Sequence, residues 1–200
     1  MVGLGINRLI VNAYKPFAGC LLALSSIVNS HAASYIINPT NTNIRFSLER
    51  FKTAASTGGF YNVKGKLQYD PSSQSGNISL MIPIGSLETG NQTLNKNLKG
   101  ADFFDMQHFP SARFQSTNWY FNKNAVTKVD GNLTLNGKTH PISLTATTFN
   151  CYVNSIINKQ VCSGEFATTI DRTKWNINKY SLFGLTKHLD LKIQIEAMKQ

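Results

Sequence analysis

The chain is 200 residues long and 42% hydrophobic, with 20 Lys and Arg against 10 Asp and Glu, a formal net charge of +10. That length suits one domain with its own core, and the apolar fraction excludes a disordered chain. The basic excess is scattered and never forms a run of five, so it reads as solvated surface lysines, with a nucleic-acid groove and attraction to anionic lipid headgroups as weaker readings.

Residues 1–32 read as a secretory signal peptide. Arg8 and Lys15 supply a positive flank, Phe17 to Val28 an apolar run, and Ser30-His31-Ala32 a small-x-small cleavage site. The run is too short for a comfortable membrane span, and no other stretch is apolar enough to cross. Cys20 precedes the apolar run, which argues against a lipoprotein attachment site. Removing the leader leaves 18 basic against 10 acidic residues, +8, in a mature domain of residues 33–200 expected to be periplasmic or secreted. It also leaves two cysteines, Cys151 and Cys162. An even pair in an oxidising compartment, flanking a short polar segment, predicts one disulfide across a hairpin tip. A redox or metal pair would call for a closer spacing.

From Ser34 onward the pattern is period two. Ile44, Phe46 and Leu48 share one face, and Gly58-Gly59 reads as a turn into a strand from Phe60 to Tyr69. Residues 70–76 are turn-forming; Ile78, Leu80, Ile82 and Ile84 alternate again, with Pro83 marking an edge or bulge. Asn91 to Lys99 is the one plausible helix, with Leu94 and Leu98 on one side. Next comes an aromatic-rich, turn-rich stretch holding Phe103, Phe104 and Phe109, with Phe114 five residues on. It reads as an apolar plug packed against the strands. Strands then run from Ala112 to Phe121 and from Val126 to Leu135, the latter ending at Asn136-Gly137, a strong hairpin signal. Ile142, Leu144 and Ala146 follow, then Phe166, Thr168 and Ile170, and finally Leu191, Ile193, Ile195 and Ala197. About eight or nine short strands, turn signals and one short helix predict an all-β antiparallel barrel or sandwich.

The search for reaction chemistry comes out empty. His108, His140 and His188 have no metal-ligand spacing, and of Asp102 and Asp105 one reads as capping or bonding the loop backbone, ahead of a catalytic carboxylate pair. There is no nucleophile motif and no phosphate loop. No enzyme activity, metal or cofactor is expected, and the reading tilts toward binding.

The ordered blocks in this chain resemble the YceI-like family of exported bacterial polyisoprenoid-binding proteins. They begin with Tyr35-Ile36-Ile37-Asn38-Pro39, Phe46-x-Leu48, Gly58-x-Phe60 and Gly65-x-Leu67-x-Tyr69-Asp70. Next come Ser86-Leu87-Glu88-Thr89, Leu98, Asp102-Phe103-Phe104-Asp105, Phe109-Pro110, Phe114 and Ser116. Gly131-x-Leu133-Thr134-Leu135-x-Gly137, Pro141, Leu144 and Asp171-Arg172-x-x-Trp175 complete the set, which spans Tyr35 to about Met198. The resemblance implies a lipocalin-like antiparallel barrel of about eight strands. Its apolar interior would hold an isoprenoid lipid of quinone or polyprenyl type. The chain departs from the family at Arg50, where a His is frequent, and at Asn95-Lys96-Asn97-Leu98, where Asp-x-His-Leu is frequent. It departs again at Asn176, where a Gly is usual.

The expected ligand-binding residues are Phe46, Leu48, Phe60, Leu80, Ile82, Leu133, Leu135, Leu144 and Phe166 on strands, with Leu98, Phe114 and Trp175. Leu191 and Ile193 are further inward positions, and Phe103, Phe104 and Phe109 would close one end. The competing class is a structural or stress-related interaction protein whose barrel is filled by its own side chains. Interior volume discriminates between the two. The expected partner is an isoprenoid lipid or similar amphiphile, with no nucleic acid, no membrane span and at most transient contact with a membrane surface. The oligomeric state is left open, a homodimer included.

Overall fold

The computed structural model describes residues 32–50, 54–179 and 186–200, so all of the expected signal peptide except Ala32 lies outside the described residues. In chain order the elements are β1 (Ala33–Ile37), β2 (Asn43–Arg50), β3 (Ala54–Phe60), β4 (Lys64–Asp70), β5 (Ser75–Pro83) and β6 (Leu87–Glu88). Then come α1 (Gln92–Lys99), β7 (Ser111–Asn122), β8 (Ala125–Leu135), β9 (Lys138–Asn154), β10 (Lys159–Asp171) and β11 (His188–Lys199). Every pairing is antiparallel. The order β1-β4-β5-β7-β8-β9-β10-β11 closes through β11 onto β1. β11 pairs with β1 at Ala197–Lys199 and with β2 at Asp190–Gln194; β3 pairs with β2, and β6 with β3. Thus β1 with β2, β4 with β3, and β5 with β6 are three long strands, each broken once. The ring is an eight-stranded up-and-down barrel with one short helix, as the alternation and the family resemblance imply.

Each break has a local cause. Between β1 and β2, buried Thr42 spans the gap: its Oγ1 donates to the Glu196 carbonyl (3.3 Å) and accepts from the Glu196 amide (3.1 Å). Between β3 and β4, Asn62 adopts φ 55°. Between β5 and β6, Pro83 offers no ladder donor, and a 3-10 turn follows at Ile84–Ser86. The Gly58-Gly59 pair, a turn on sequence grounds, instead lies inside β3 opposite Phe46 and Arg45. A Cβ on Gly58 would come within 2.5 Å of Phe46 Cζ, so the glycine serves the close approach of that ring to the strand.

A bulge in β7 between Ser116 and Asn118 switches which side chains face inward. Ser116 Oγ fills the gap by accepting from the Ile78 amide at 2.9 Å. Beyond the bulge Trp119 and Phe121 join Tyr69, Phe149 and Phe166 in an aromatic cluster that fills this end of the barrel. Tyr69–Phe149 centroids are 5.0 Å apart, Trp119–Phe149 5.7 Å and Phe149–Phe166 6.2 Å. At the same end Cys151 and Cys162 sit directly opposite in β9 and β10 and form the expected disulfide across the hairpin.

The opposite end carries α1 and the aromatic stretch. Asn91 caps α1, its side chain accepting from the Leu94 amide at 3.0 Å. Buried Asn95 anchors the helix: its Oδ1 accepts from the Thr89 amide and hydroxyl (2.9 and 2.7 Å), and its Nδ2 donates to Glu88 (2.7 Å). The Asn136-Gly137 turn has φ 46° and 68°, as a tight hairpin demands, and Asn136 Nδ2 donates to the Phe103 carbonyl.

Candidate functional site

Above the aromatic cluster the barrel interior contains a hollow of about 70 Å³ lined by sixteen side chains, all apolar. Eight of the expected ligand-binding residues meet there: Phe60, Leu80, Ile82, Phe104, Phe114, Leu133, Leu135 and Leu144. Leu191 and Ile193 of β11 line it as well. So do Ile44, Ile84, Ala112, Ile142, Ile170 and Leu189, which were not among the expected ligand contacts. Ile44, Ile84, Ile142 and Ile170 are visible in the alternation, although Ile84 falls in the 3-10 turn. Ala112 is too small to stand out, and Leu189 opens β11 beside a histidine.

The remaining expected residues divide into two groups. Phe46, Leu48, Leu98 and Phe103 line a second, larger cleft of about 540 Å³ at the α1 end. Phe109, Phe166 and Trp175 line neither space. Phe109 packs on Gly137, where a Cβ would approach its ring to 2.7 Å. Phe166 belongs to the aromatic cluster at the far end. Trp175 is 1% exposed, its indole N–H donates to the Leu133 carbonyl at 3.1 Å, and it wedges the barrel wall.

Three rings stand between cleft and hollow. Phe46 faces the cleft, Phe60 and Phe104 face the hollow, and the chain of contacts is continuous. Phe46–Phe60 centroids are 5.9 Å apart and Phe60–Phe104 5.2 Å, the latter edge-on. Of the aromatic stretch, Phe104 lines the hollow and Phe103 the cleft.

The cleft is mixed in character: Ser56, Thr57, Thr89, Asn97, Lys96, Asp102 and Lys179 share it with five apolar residues, the four above and Leu94. Asp102 forms an ion pair with Lys179 on a distant segment, and Asp105 pairs with His108 Nδ1 at 2.9 Å, so only Asp105 bonds within its own loop. Lys179 owes its position to Arg172, which is 2% exposed. The guanidinium donates to the carbonyls of Thr186 (2.9 Å), Ile177 (2.5 Å) and Lys179 (3.3 Å). Burial pulls it below its ordinary pKa, opposed by Asp171 beside it. The Asp171-Arg172-x-x-Trp175 block is therefore a clamp that shapes the rim.

Two departures from the family pattern find explanations. Asn176 adopts φ 62°, ψ 15°, the left-handed conformation that Asn tolerates best after Gly. Asn95 donates to Glu88 and, with the Gly90 and Thr89 amides, holds that carboxyl below its ordinary range, a role an Asp cannot fill. Arg50 lies at the end of β2, and its side chain is outside the described residues. Among the described residues no group of three His, Cys, Asp or Glu is placed to hold a metal ion. No helix there is long and apolar enough to cross a membrane.

Comparison with known proteins agrees with this architecture. A UPF0312 protein of Pseudomonas putida is 28% identical over 194 residues, covering 93% of this chain and 98% of its own. Burkholderia cenocepacia BcnA superposes with a TM-score of 0.66 at 20% identity, covering 80% of this chain and 98% of that one. A polyisoprenoid-binding domain from Saccharophagus degradans, implicated in plant cell wall breakdown, superposes with a TM-score of 0.61 at 12% identity, over 84% and 99% of the two chains. The profile of the YceI-like domain matches residues 35–197, and the chain belongs to that family.

Proposed function

We propose that this chain binds a lipid with an isoprenoid tail, of quinone or polyprenyl type, and carries or sequesters it without chemical conversion. The tail lies in the barrel interior and the polar end in the cleft beside Lys96 and Lys179. The observation that carries this reading is the wall of the hollow: sixteen side chains from eight strands, the 3-10 turn and the aromatic stretch, without one polar group among them. The polyisoprenoid-binding neighbour of the same fold supports it. At about 70 Å³ the hollow is smaller than an ordinary ligand pocket, so entry requires the Phe46, Phe60 and Phe104 rings to swing toward the cleft. Membership in the family and the disulfide support action outside the cytoplasm, in the periplasm or beyond.

The second reading, a barrel filled by its own side chains and acting through its surface, is favoured by that same small volume. Mass spectrometry of an organic extract of the purified protein separates the two. A stoichiometric isoprenoid supports carriage, and an extract free of lipid from protein produced in its native host supports the filled barrel.

A further inference from the structure

The β9–β10 hairpin carries an apolar surface that the interior site does not use. The two strands pair with each other out to Asn154 and Lys159. Their outer neighbours stop earlier, β8 at Lys128 opposite Thr145 and β11 at Met198 opposite Val161. The tip therefore projects past the rim. It holds four exposed large apolar residues: Ile156 is 92% exposed, Val153 66%, Ile157 46% and Tyr152 42%. Half of the exposed large hydrophobics among the described residues thus fall within six consecutive positions, which makes a patch and not a scatter. The disulfide between Cys151 and Cys162 closes the base of the tip, so the patch is presented on a braced support.

Charge identifies what this patch meets. The other elements at this end are the start of β1, the 70–75 turn, the β7–β8 turn and the last residues of β11. Together with the tip they carry Lys123, Lys159 and Lys199, all exposed. Their one acidic side chain among the described residues is Asp70, which is 8% exposed and bonded to Ser72 and Ser73. An exposed apolar tip surrounded by lysines, with no exposed acidic side chain at this end among the described residues, matches a surface with phosphate outside and hydrocarbon beneath.

We infer that the β9–β10 tip docks this protein onto an anionic phospholipid surface. Ile156, Ile157 and Val153 enter the interface, and the three lysines meet the headgroups. The cleft lies at the opposite end of the barrel, so the docked protein holds its cleft facing away from that bilayer. This inference stands independently of what the interior binds.

Co-sedimentation with phosphatidylethanolamine vesicles containing phosphatidylglycerol tests it, with phosphatidylcholine vesicles as the neutral control. The full chain is expected to sediment with the anionic vesicles and to be released by salt. The Ile156→Ser/Ile157→Ser variant alters only solvent-facing tip positions, so folding, checked by circular dichroism, is retained. Its partitioning is expected to fall by at least tenfold, since burying one isoleucine is worth at least a factor of ten. A Lys123→Gln/Lys159→Gln/Lys199→Gln variant is expected to lose the preference for anionic vesicles. No binding by the parent protein, or equal binding by the serine variant, overturns the inference. So does a tip-dependent dimer seen by analytical ultracentrifugation without vesicle binding, which makes the tip a contact between two copies.

Discussion

Filling the hollow separates its two possible meanings. Ala112 lies on β7 opposite Ile82, is 5% exposed and lines the hollow. Ala112→Val adds two carbons in a residue that suits a strand. At about 0.8 kcal/mol per buried carbon the gain is about 1.6 kcal/mol. A second route agrees: at about 24 cal/mol per Å³, a 70 Å³ void costs about 1.7 kcal/mol. For a domain of this size such a gain raises Tm by about 3–6 °C. The assay is thermal and urea unfolding of the delipidated protein, followed by isoprenoid titration of the same sample. The expected result is a more stable variant with at least tenfold weaker lipid binding. A stabilised variant that binds lipid as the parent does refutes a tail in this hollow. A destabilised variant refutes the assumption that the space is open to a side chain.

The disulfide closes a short loop, and replacing both Cys151 and Cys162 with alanine should cost about 2–3 kcal/mol on the chain-entropy view, read from urea midpoints. Arg172→Met strips three carbonyls of their donor in a largely buried site, and a loss of about 3 kcal/mol or more is expected by the same measurement. Arg172→Lys should not restore it, because a single ammonium cannot reproduce the fork. Three carboxyls are held below their ordinary values, Glu88 chiefly by the Asn95 amide, Asp130 by the Ser143 hydroxyl and Asp171 by Thr173. The unfolded chain therefore takes up these protons first. The stability they contribute is complete above about pH 4.5 and is lost as pH falls through the lower folded values. A Tm that rises on acidification below that point contradicts the assignment.

Most of the barrel was legible because alternation reports which face a residue occupies, and β11 and the Asn136-Gly137 hairpin show this well. Alternation does not report height along the barrel axis. Phe166 and Leu133 both point inward, yet one fills the aromatic end and the other lines the hollow. The bulge beside Ser116 also resets the phase without a turn residue to announce it. Gly58-Gly59 misled because the same residue type serves a turn and a close ring approach. Trp175 looks like a ligand contact from its size alone; only the Leu133 carbonyl reveals it as a wall element. Lys179 had no signal, since its place depends on a buried arginine holding irregular backbone.

The most direct test of the central claim is a binding series on delipidated protein with isoprenoid alcohols of increasing length, read by calorimetry. Each isoprene unit adds five carbons, and at about 0.8 kcal/mol for each buried carbon even partial burial exceeds a tenfold gain per unit. The account predicts affinity that climbs by at least tenfold per unit and then levels off once the interior is full. The Phe104→Trp variant, which enlarges the ring between cleft and hollow, should level off at a shorter tail. Affinity that is absent, or flat from the shortest to the longest tail, would contradict lipid carriage in the barrel.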